Sequence, residues 1–433
     1  MSETAQMLIV GGIFLLLLVG GMWIPFAIAV TAALYIFMAS GWDGFGGLGL
    51  VSWGSTYNFS LTAIPLFILM AEFMLESGLS QRVYRGMSQL VRFLPGGLLQ
   101  TNVAGCAAFS AISGSSVATA AAIGSIALPQ LEQRGYCPRI AAGTIVAGGT
   151  LGILIPPSIA LIIYGTFTDT SISKLFMAGL IPGLVLCGLF AIYVAIRCLL
   201  NPTLSPREHD SIEAVGSSRQ LAGDLLPFTL LILLVMGSLY FGYTTPTESA
   251  GVGALLAFVI GKIWGTLDWA AFRRALGKTV QVSGTILFIV YAAYLFSYAI
   301  GMVGITDELA DVLEAWDLTR GELILVIIVF YTLLGMLMDS IGMVVITVPL
   351  LYPILLDYGI DPIWFGVLLV VLIELGQITP PAGLNLFVVK SISRIGLSDI
   401  IKGALPFCAL LYVLIALLYW FPNLALWMPS GMH

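Results

Sequence analysis

Prolines and glycines recur along this chain at one fixed separation, and no other feature of the sequence constrains the fold as tightly. Pro129 and Pro353 lie 224 residues apart, and so do Pro138 and Pro362, Pro156 and Pro380, Pro157 and Pro381, and Pro182 and Pro406. Gly135 and Gly359, Gly152 and Gly376, and Gly179 and Gly403 share the offset. Glycine is abundant, so its matches alone carry little weight. Proline supplies only 20 of the 433 residues, and five coincidences at a single offset without a gap mean an internal duplication. The chain is two copies of one unit, broken at the same places.

Both copies are made to sit in hydrocarbon. Hydrophobic residues make up 59% of the chain and charged residues 9%, with a mean hydropathy of +1.04, where soluble domains run near ~25% charged. An ionised side chain in the bilayer centre costs about 2.5–3.5 kcal/mol on insertion scales, which explains the scarcity. The net charge of −6 comes from few residues and provides no basic face for nucleic acid. The five cysteines, scattered through apolar stretches without a CxxC pair, read as packing residues. The two histidines, His209 in a polar segment and His433 at the end, argue against a histidine-based metal or catalytic site. No cofactor motif is present. The start, MSETAQ, lacks the basic residues and small-residue cleavage site of a secretory signal, so Met7 onward is expected to be the first span.

A span needs about 20 apolar residues. Candidates fall at 7–22, 24–39, 59–77, 179–199, 225–241, 247–265, 278–302 and 403–421. Two blocks rich in Gly, Pro, Ser and Thr, 96–178 and 321–394, do not read as simple spans. The expected organisation is an all-α polytopic membrane protein of two inverted repeats. The first (1–200) holds a re-entrant hairpin at about 96–130 and a broken helix at about 138–172. A polar linker, 201–223, precedes the second (224–433), with its hairpin at about 321–354 and broken helix at about 361–394. A re-entrant hairpin returns to its own side. Each half therefore crosses an odd number of times, and the second half is inverted. Under this topology Lys174 and Arg320 fall on one face, and the remainder of the 17 Lys and Arg fall on the other. By the positive-inside rule that second face, with the linker, is cytoplasmic and both termini are outside.

The chemistry concentrates where the copies break. Gly152 leads to Pro156-Pro157-Ser158, and Gly376 leads to Pro380-Pro381 and on to Asn385. Two consecutive prolines remove two backbone donors and clash with the preceding turn, so each helix must break. In lipid such a break strands carbonyls and amides unless something satisfies them. A cation can take the carbonyls, and the following half-helix N-terminus favours an anion. A packed kink is the alternative. Ser113-Gly114-Ser115-Ser116 and, at the same offset, Asp339-Ser340 read as hairpin tips whose oxygens suit a hard cation. Asp339, ionisable within an apolar block, is a functional candidate by default. Thr245-Pro246-Thr247-Glu248 reads as a capping box. Glu374, just ahead of the second break, is expected to pair with a polar group or tune the site, without a ligand role. Tyr419, Trp420, Phe421 and Trp427 read as interfacial anchors.

These motifs, Gly149-Thr150-Leu151-Gly152 through Pro156-Pro157-Ser158, Thr245 to Glu248, and Gly376 through Pro380-Pro381-Ala382-Gly383, resemble the large membrane subunit of tripartite ATP-independent periplasmic (TRAP) transporters. The resemblance spans essentially the whole chain. It implies an elevator-type, sodium-driven importer of a small organic anion, a carboxylate or sugar acid, across the bacterial inner membrane. It also implies two partners: a periplasmic substrate-binding protein and a small four-helix membrane subunit, expected here as a separate polypeptide. One sodium is implied at Ser113, Ser115, Ser116, Gly152, Pro156 and Ser158, and a second at Asp339, Ser340, Gly342, Gly376, Thr379 and Pro380. The substrate carboxylate is implied between the tips, near Ser116, Thr150, Pro157, Ser158, Pro381, Ala382 and Asn385. Other classes fit less well. A stand-alone carrier would share the architecture, a channel needs a continuous polar path, and a serine hydrolase lacks an intramembrane histidine or Ser–Lys pair.

Overall fold

The structure is a computed structural model that describes residues 3–206, 218–381 and 383–432. The first half opens with apolar helices α1 (Glu3–Val19) and α2 (Ile24–Ser40), separated at Gly21, whose φ of 79° is left-handed. They are followed by α3 (Leu48–Thr56), α4 (Ala63–Glu76) and α5 (Leu79–Leu90). The hairpin α6 (Leu98–Ser113) and α7 (Ser116–Gln133) comes next. The broken helix α8 (Pro138–Leu154) and α9 (Ile159–Thr168) and the long α10 (Ile172–Leu200) complete the half.

The second half repeats this order. It contains α11 (Ser218–Tyr240), α12 (Pro246–Ile263), α13 (Trp269–Val303) and α14 (Ile305–Ala315). The hairpin is α15 (Arg320–Gly335) and α16 (Ser340–Asp357), and the broken helix is α17 (Pro362–Ile378) and α18 (Leu384–Ile392). Then come α19 (Leu397–Trp420) and a short α20 (Asn423–Ser430). Helices α7 and α16 begin and end 224 residues apart, as do α8 and α17, so the duplicated prolines occupy equivalent turns. Both Pro–Pro peptide bonds, 156–157 and 380–381, are cis.

The halves interlock rather than sit side by side. Helix α2 packs on α13 as α4 packs on α12, and α7 packs on α18 as α16 packs on α9. These reciprocal pairs are what two related, inverted units produce when each buries its apolar faces in the other. Among the described residues, seven helices are long and apolar enough to cross a membrane. The stretch Pro138–Thr168, which contains the first break, is buried within the protein throughout its most apolar window. A broken helix is tolerated at membrane depth only where protein or water covers it, and this burial meets that condition. Lipid-facing helices such as α11 and α19 instead leave Leu226, Leu233, Leu405 and Val413 exposed.

Two details refine the sequence reading. The capping box at Thr245 is formed, with the Thr245 amide donating to Glu248 Oε2 at 2.8 Å. A second box, Thr319 with Glu322, starts α15 and was not anticipated. Helices α5 and α14 are amphipathic rather than apolar, so the hydropathy of the sequence does not mark them as spans. They hold equivalent places in the two halves and carry opposite charge: α5 has Arg82 and Arg85, whereas α14 has Glu308, Asp311 and Glu314. Arg85 grips the buried Asp224 at 2.6 Å, tying α5 to the start of α11.

Candidate functional site

The first hairpin turns through Gly114, which is left-handed at φ 60°. Ser115 then caps α7, its Oγ accepting from the Ala118 amide at 3.4 Å. Ser113 Oγ lies 2.6 Å from Thr119 Oγ1 and donates to the Ser115 carbonyl at 3.3 Å. The break is pressed against this tip. A methyl group at Gly152 would lie 2.5 Å from the Ser115 carbonyl oxygen and 2.8 Å from Thr119 Oγ1. A methyl group at Gly114 would lie 2.8 Å from the Pro157 carbonyl oxygen. The Ile159 amide reaches the Gly114 carbonyl at 3.5 Å, and Ser158 caps α9 by accepting from the Leu161 amide at 3.3 Å. Ser113, Ser115, Gly152, Pro157 and Ser158 are thus brought together, joined by Thr119, which sequence reasoning did not single out. Pro156 stands beside them in the same break. The result is a compact set of hydroxyl and carbonyl oxygens of the kind a hard cation uses.

The second half does not copy this tip. Asp339 takes the place of Ser115 and turns its carboxylate onto its own helix, accepting from the Ile341 amide at 3.2 Å and the Gly342 amide at 3.3 Å. Ser340 is the first residue of α16, and Gly342 packs between Asp339, Met338 and Ile24. Gly376 meets the hairpin one turn earlier, at Gly335: a methyl group on Gly376 would lie 2.5 Å from the Gly335 Cα. Thr379 closes α17 with its hydroxyl on the Leu375 carbonyl, followed by Pro380 and Pro381, while Ala382 lies outside the described residues. A cap of this kind spends the carboxylate's oxygens on two amides and adds a formal charge at the helix N-terminus. Asp339→Asn keeps a cap but removes the charge. The protein is expected to remain folded in detergent; on the sodium-coupled reading that the sequence resemblance implies, the sodium concentration for half-maximal uptake rises severalfold, and unchanged sodium dependence would remove Asp339 from the site.

Between the tips the Ser116 hydroxyl joins the two halves. Ser116 Oγ donates to Glu374 Oε2 at 2.8 Å and accepts from Asn385 Nδ2 at 2.6 Å. All three residues are buried. Gly149 closes the floor, because a methyl group there would meet Asn385 Nδ2 and the Ser116 carbonyl, each at 3.2 Å. The N-termini of α7, α9 and α18 converge here, since Ser116 and Asn385 bond to each other and Gly114 touches Ile159. Ser116 and Asn385, both expected near the substrate, are brought together here. Thr150 turns its hydroxyl to the Ala147 carbonyl at 2.6 Å, inside its own helix. Glu374 occupies the place equivalent to Thr150 but reaches across the halves. Its position beside a break was the signal available in the sequence; its partner was not.

Interlocked inverted repeats with buried, paired helix breaks define a polytopic membrane transporter. The description "Tripartite ATP-independent periplasmic transporter, DctM component" matches residues 11–424, and the chain belongs to that family. It is a transporter subunit and not an enzyme. It is 34% identical over 408 residues to the C4-dicarboxylate TRAP transporter large permease protein DctM of Pseudomonas aeruginosa, covering 93% of this chain and 94% of that protein. It is 30% identical over 426 residues to the sialic acid TRAP transporter large permease protein SiaM of Vibrio cholerae, covering 97% and 98%. In structure it is similar to the YdaH transporter of Alcanivorax borkumensis, with a TM-score of 0.66 at 17% identity over 97% of this chain and 99% of that one.

Proposed function

We propose that this chain imports a small organic anion, a carboxylate or sugar acid, across the bacterial inner membrane, driven by a sodium gradient and supplied by a periplasmic binding protein. One observation carries the reading: three helix N-termini converge on the buried Ser116–Asn385 pair, directly beside the oxygen-rich first tip. Helix N-termini favour an anion and the adjacent oxygens favour a hard cation, so one small region offers both halves of a symport. The names of the relatives support an acid as cargo, since they cite C4-dicarboxylate, sialic acid and 2,3-diketo-L-gulonate. The isethionate permease DctMQ of Oleidesulfovibrio alaskensis extends beyond the match, the chain covering 64% of it, which supports a small membrane partner for this family. Transport would proceed by elevator-like movement of the hairpins and broken helices against α2, α4, α12 and α13.

Uptake into proteoliposomes tests this directly. Accumulation of one acid from a panel of C4-dicarboxylates and sugar acids is expected only with an inward sodium gradient and the cognate binding protein and small subunit present. Sodium-dependent uptake without a binding protein would instead make the chain a stand-alone symporter. Orientation is tested separately. Cysteines placed in 201–223 are expected to react only from the cytoplasm and those in 303–320 only from outside, with both termini periplasmic. Labelling of both segments from one side would defeat that topology.

A further inference from the structure

Glu374 Oε1, Asn385 Oδ1 and both amide atoms of Gln377 are buried without a hydrogen-bond partner. The residues that carry them are exposed by 1%, 0% and 1%. Glu374 and Gln377 stand three apart on α17, on one face of the helix. Asn385 and Glu374 both bond Ser116 Oγ, so they lie within two hydrogen-bond lengths of each other. Asn385 donates to Ser116 Oγ, whose own proton is free for Glu374 Oε2, and the second oxygen of Glu374 and the side-chain oxygen of Asn385 are left unused. No cationic side chain answers the Glu374 carboxylate: among the described residues, the buried polar set contains no Lys, Arg or His. The other buried carboxylate, Asp224, is held by Arg85. An unpaired charge at such depth is strongly unfavourable.

We infer that Glu374, with Gln377 and Asn385, forms a sodium site of its own, distinct from the two tip sites, in which Glu374 supplies the charge. The inference rests on the sodium-coupled reading above. One carboxylate among neutral oxygens balances a single positive charge; a divalent ion would leave a net positive charge buried. The location gives the site a role. Without its cation, Glu374 repels an anion approaching the converged N-termini of α7, α9 and α18. With its cation bound, those N-termini attract the anion, so sodium binds before substrate and couples to it through charge.

The test is equilibrium binding of radioactive sodium to the purified full-length chain, with choline replacing sodium at constant ionic strength. Glu374→Gln keeps the shape and the Ser116 bond and is expected to bind one sodium ion fewer at saturation than the unaltered chain. Gln377→Leu keeps the packing and is expected to bind the full number, with a half-saturating sodium concentration raised by about tenfold, the effect of one lost ligand. If Glu374→Gln binds as many ions with the same half-saturation, the inference is overturned, and Glu374 is neutralised by a proton instead. If Glu374→Gln fails to fold, an unchanged half-saturation in Gln377→Leu overturns it equally. Absence of sodium binding in the unaltered chain would overturn the sodium-driven reading itself, a result distinct from loss of one ion among several.

Discussion

Replacing Pro380-Pro381 or Pro156-Pro157 with Ala-Ala is expected to abolish uptake, to about 1% of normal or less, while the protein stays folded. Proline disfavours a helix interior by about 3 kcal/mol, because it lacks the amide and crowds the preceding turn. Alanine at both positions lets α8 run on into α9, or α17 into α18, restoring bonds that the breaks forgo. A break that only kinks a helix would then leave transport intact and raise stability. A break that frees carbonyls for ions and creates the N-termini of α9 and α18 would lose its ligands. The decisive pair of measurements is uptake and the sodium-dependent rise in melting temperature, since a ligand that binds only the folded state raises apparent stability. Normal uptake with an undiminished sodium shift in both double variants would reduce the breaks to packing.

A single methyl group at either equivalent glycine is expected to be nearly as damaging. In Gly152→Ala the new carbon would lie 2.5 Å from the Ser115 carbonyl oxygen, and in Gly376→Ala it would lie 2.5 Å from the Gly335 Cα. Both obstacles are backbone, which cannot rotate away, so tip and break must part by several tenths of an ångström. Overpacking of this kind costs about 1–3 kcal/mol. The larger consequence is functional: in Gly152→Ala the oxygens of Ser113, Ser115 and Thr119 lose their fixed distance from the break, in Gly376→Ala the second break is pushed off its hairpin at Gly335, and uptake is expected to fall at least tenfold. Gly11→Ala, where a methyl group meets nothing within 4 Å, serves as the control. Wild-type uptake and sodium affinity in Gly152→Ala would show that the close approach has no part in transport.

Much of the architecture was legible because it is written in local backbone chemistry. Proline and glycine act on the turn in which they sit, so their repetition at one offset exposed the duplication and the two breaks before any packing was known. The short polar runs at Ser113–Ser116 and Asp339–Ser340 marked the tips for the same reason. Helices α5 and α14 escaped because an amphipathic helix carries too little apolar residue to register as a span.

The centre of the site was decided elsewhere. Ser116 bonds to residues 258 and 269 positions away in sequence, and nothing local to Glu374 names Ser116 as its partner. Thr150 and Glu374 hold equivalent places in two copies of one unit, yet one turns inward to its own helix and the other crosses between the halves. Asp339 and Ser115 are likewise equivalent, and only the folded chain shows the carboxylate spent on its own helix while the serine's carbonyl faces the break. The sequence by itself determined a duplicated, membrane-embedded chain with two broken helices, because those follow from residue type and spacing. Only the tertiary structure decided which polar atoms meet at its centre, because the interlocking of the two halves brings helices together whatever their separation along the chain.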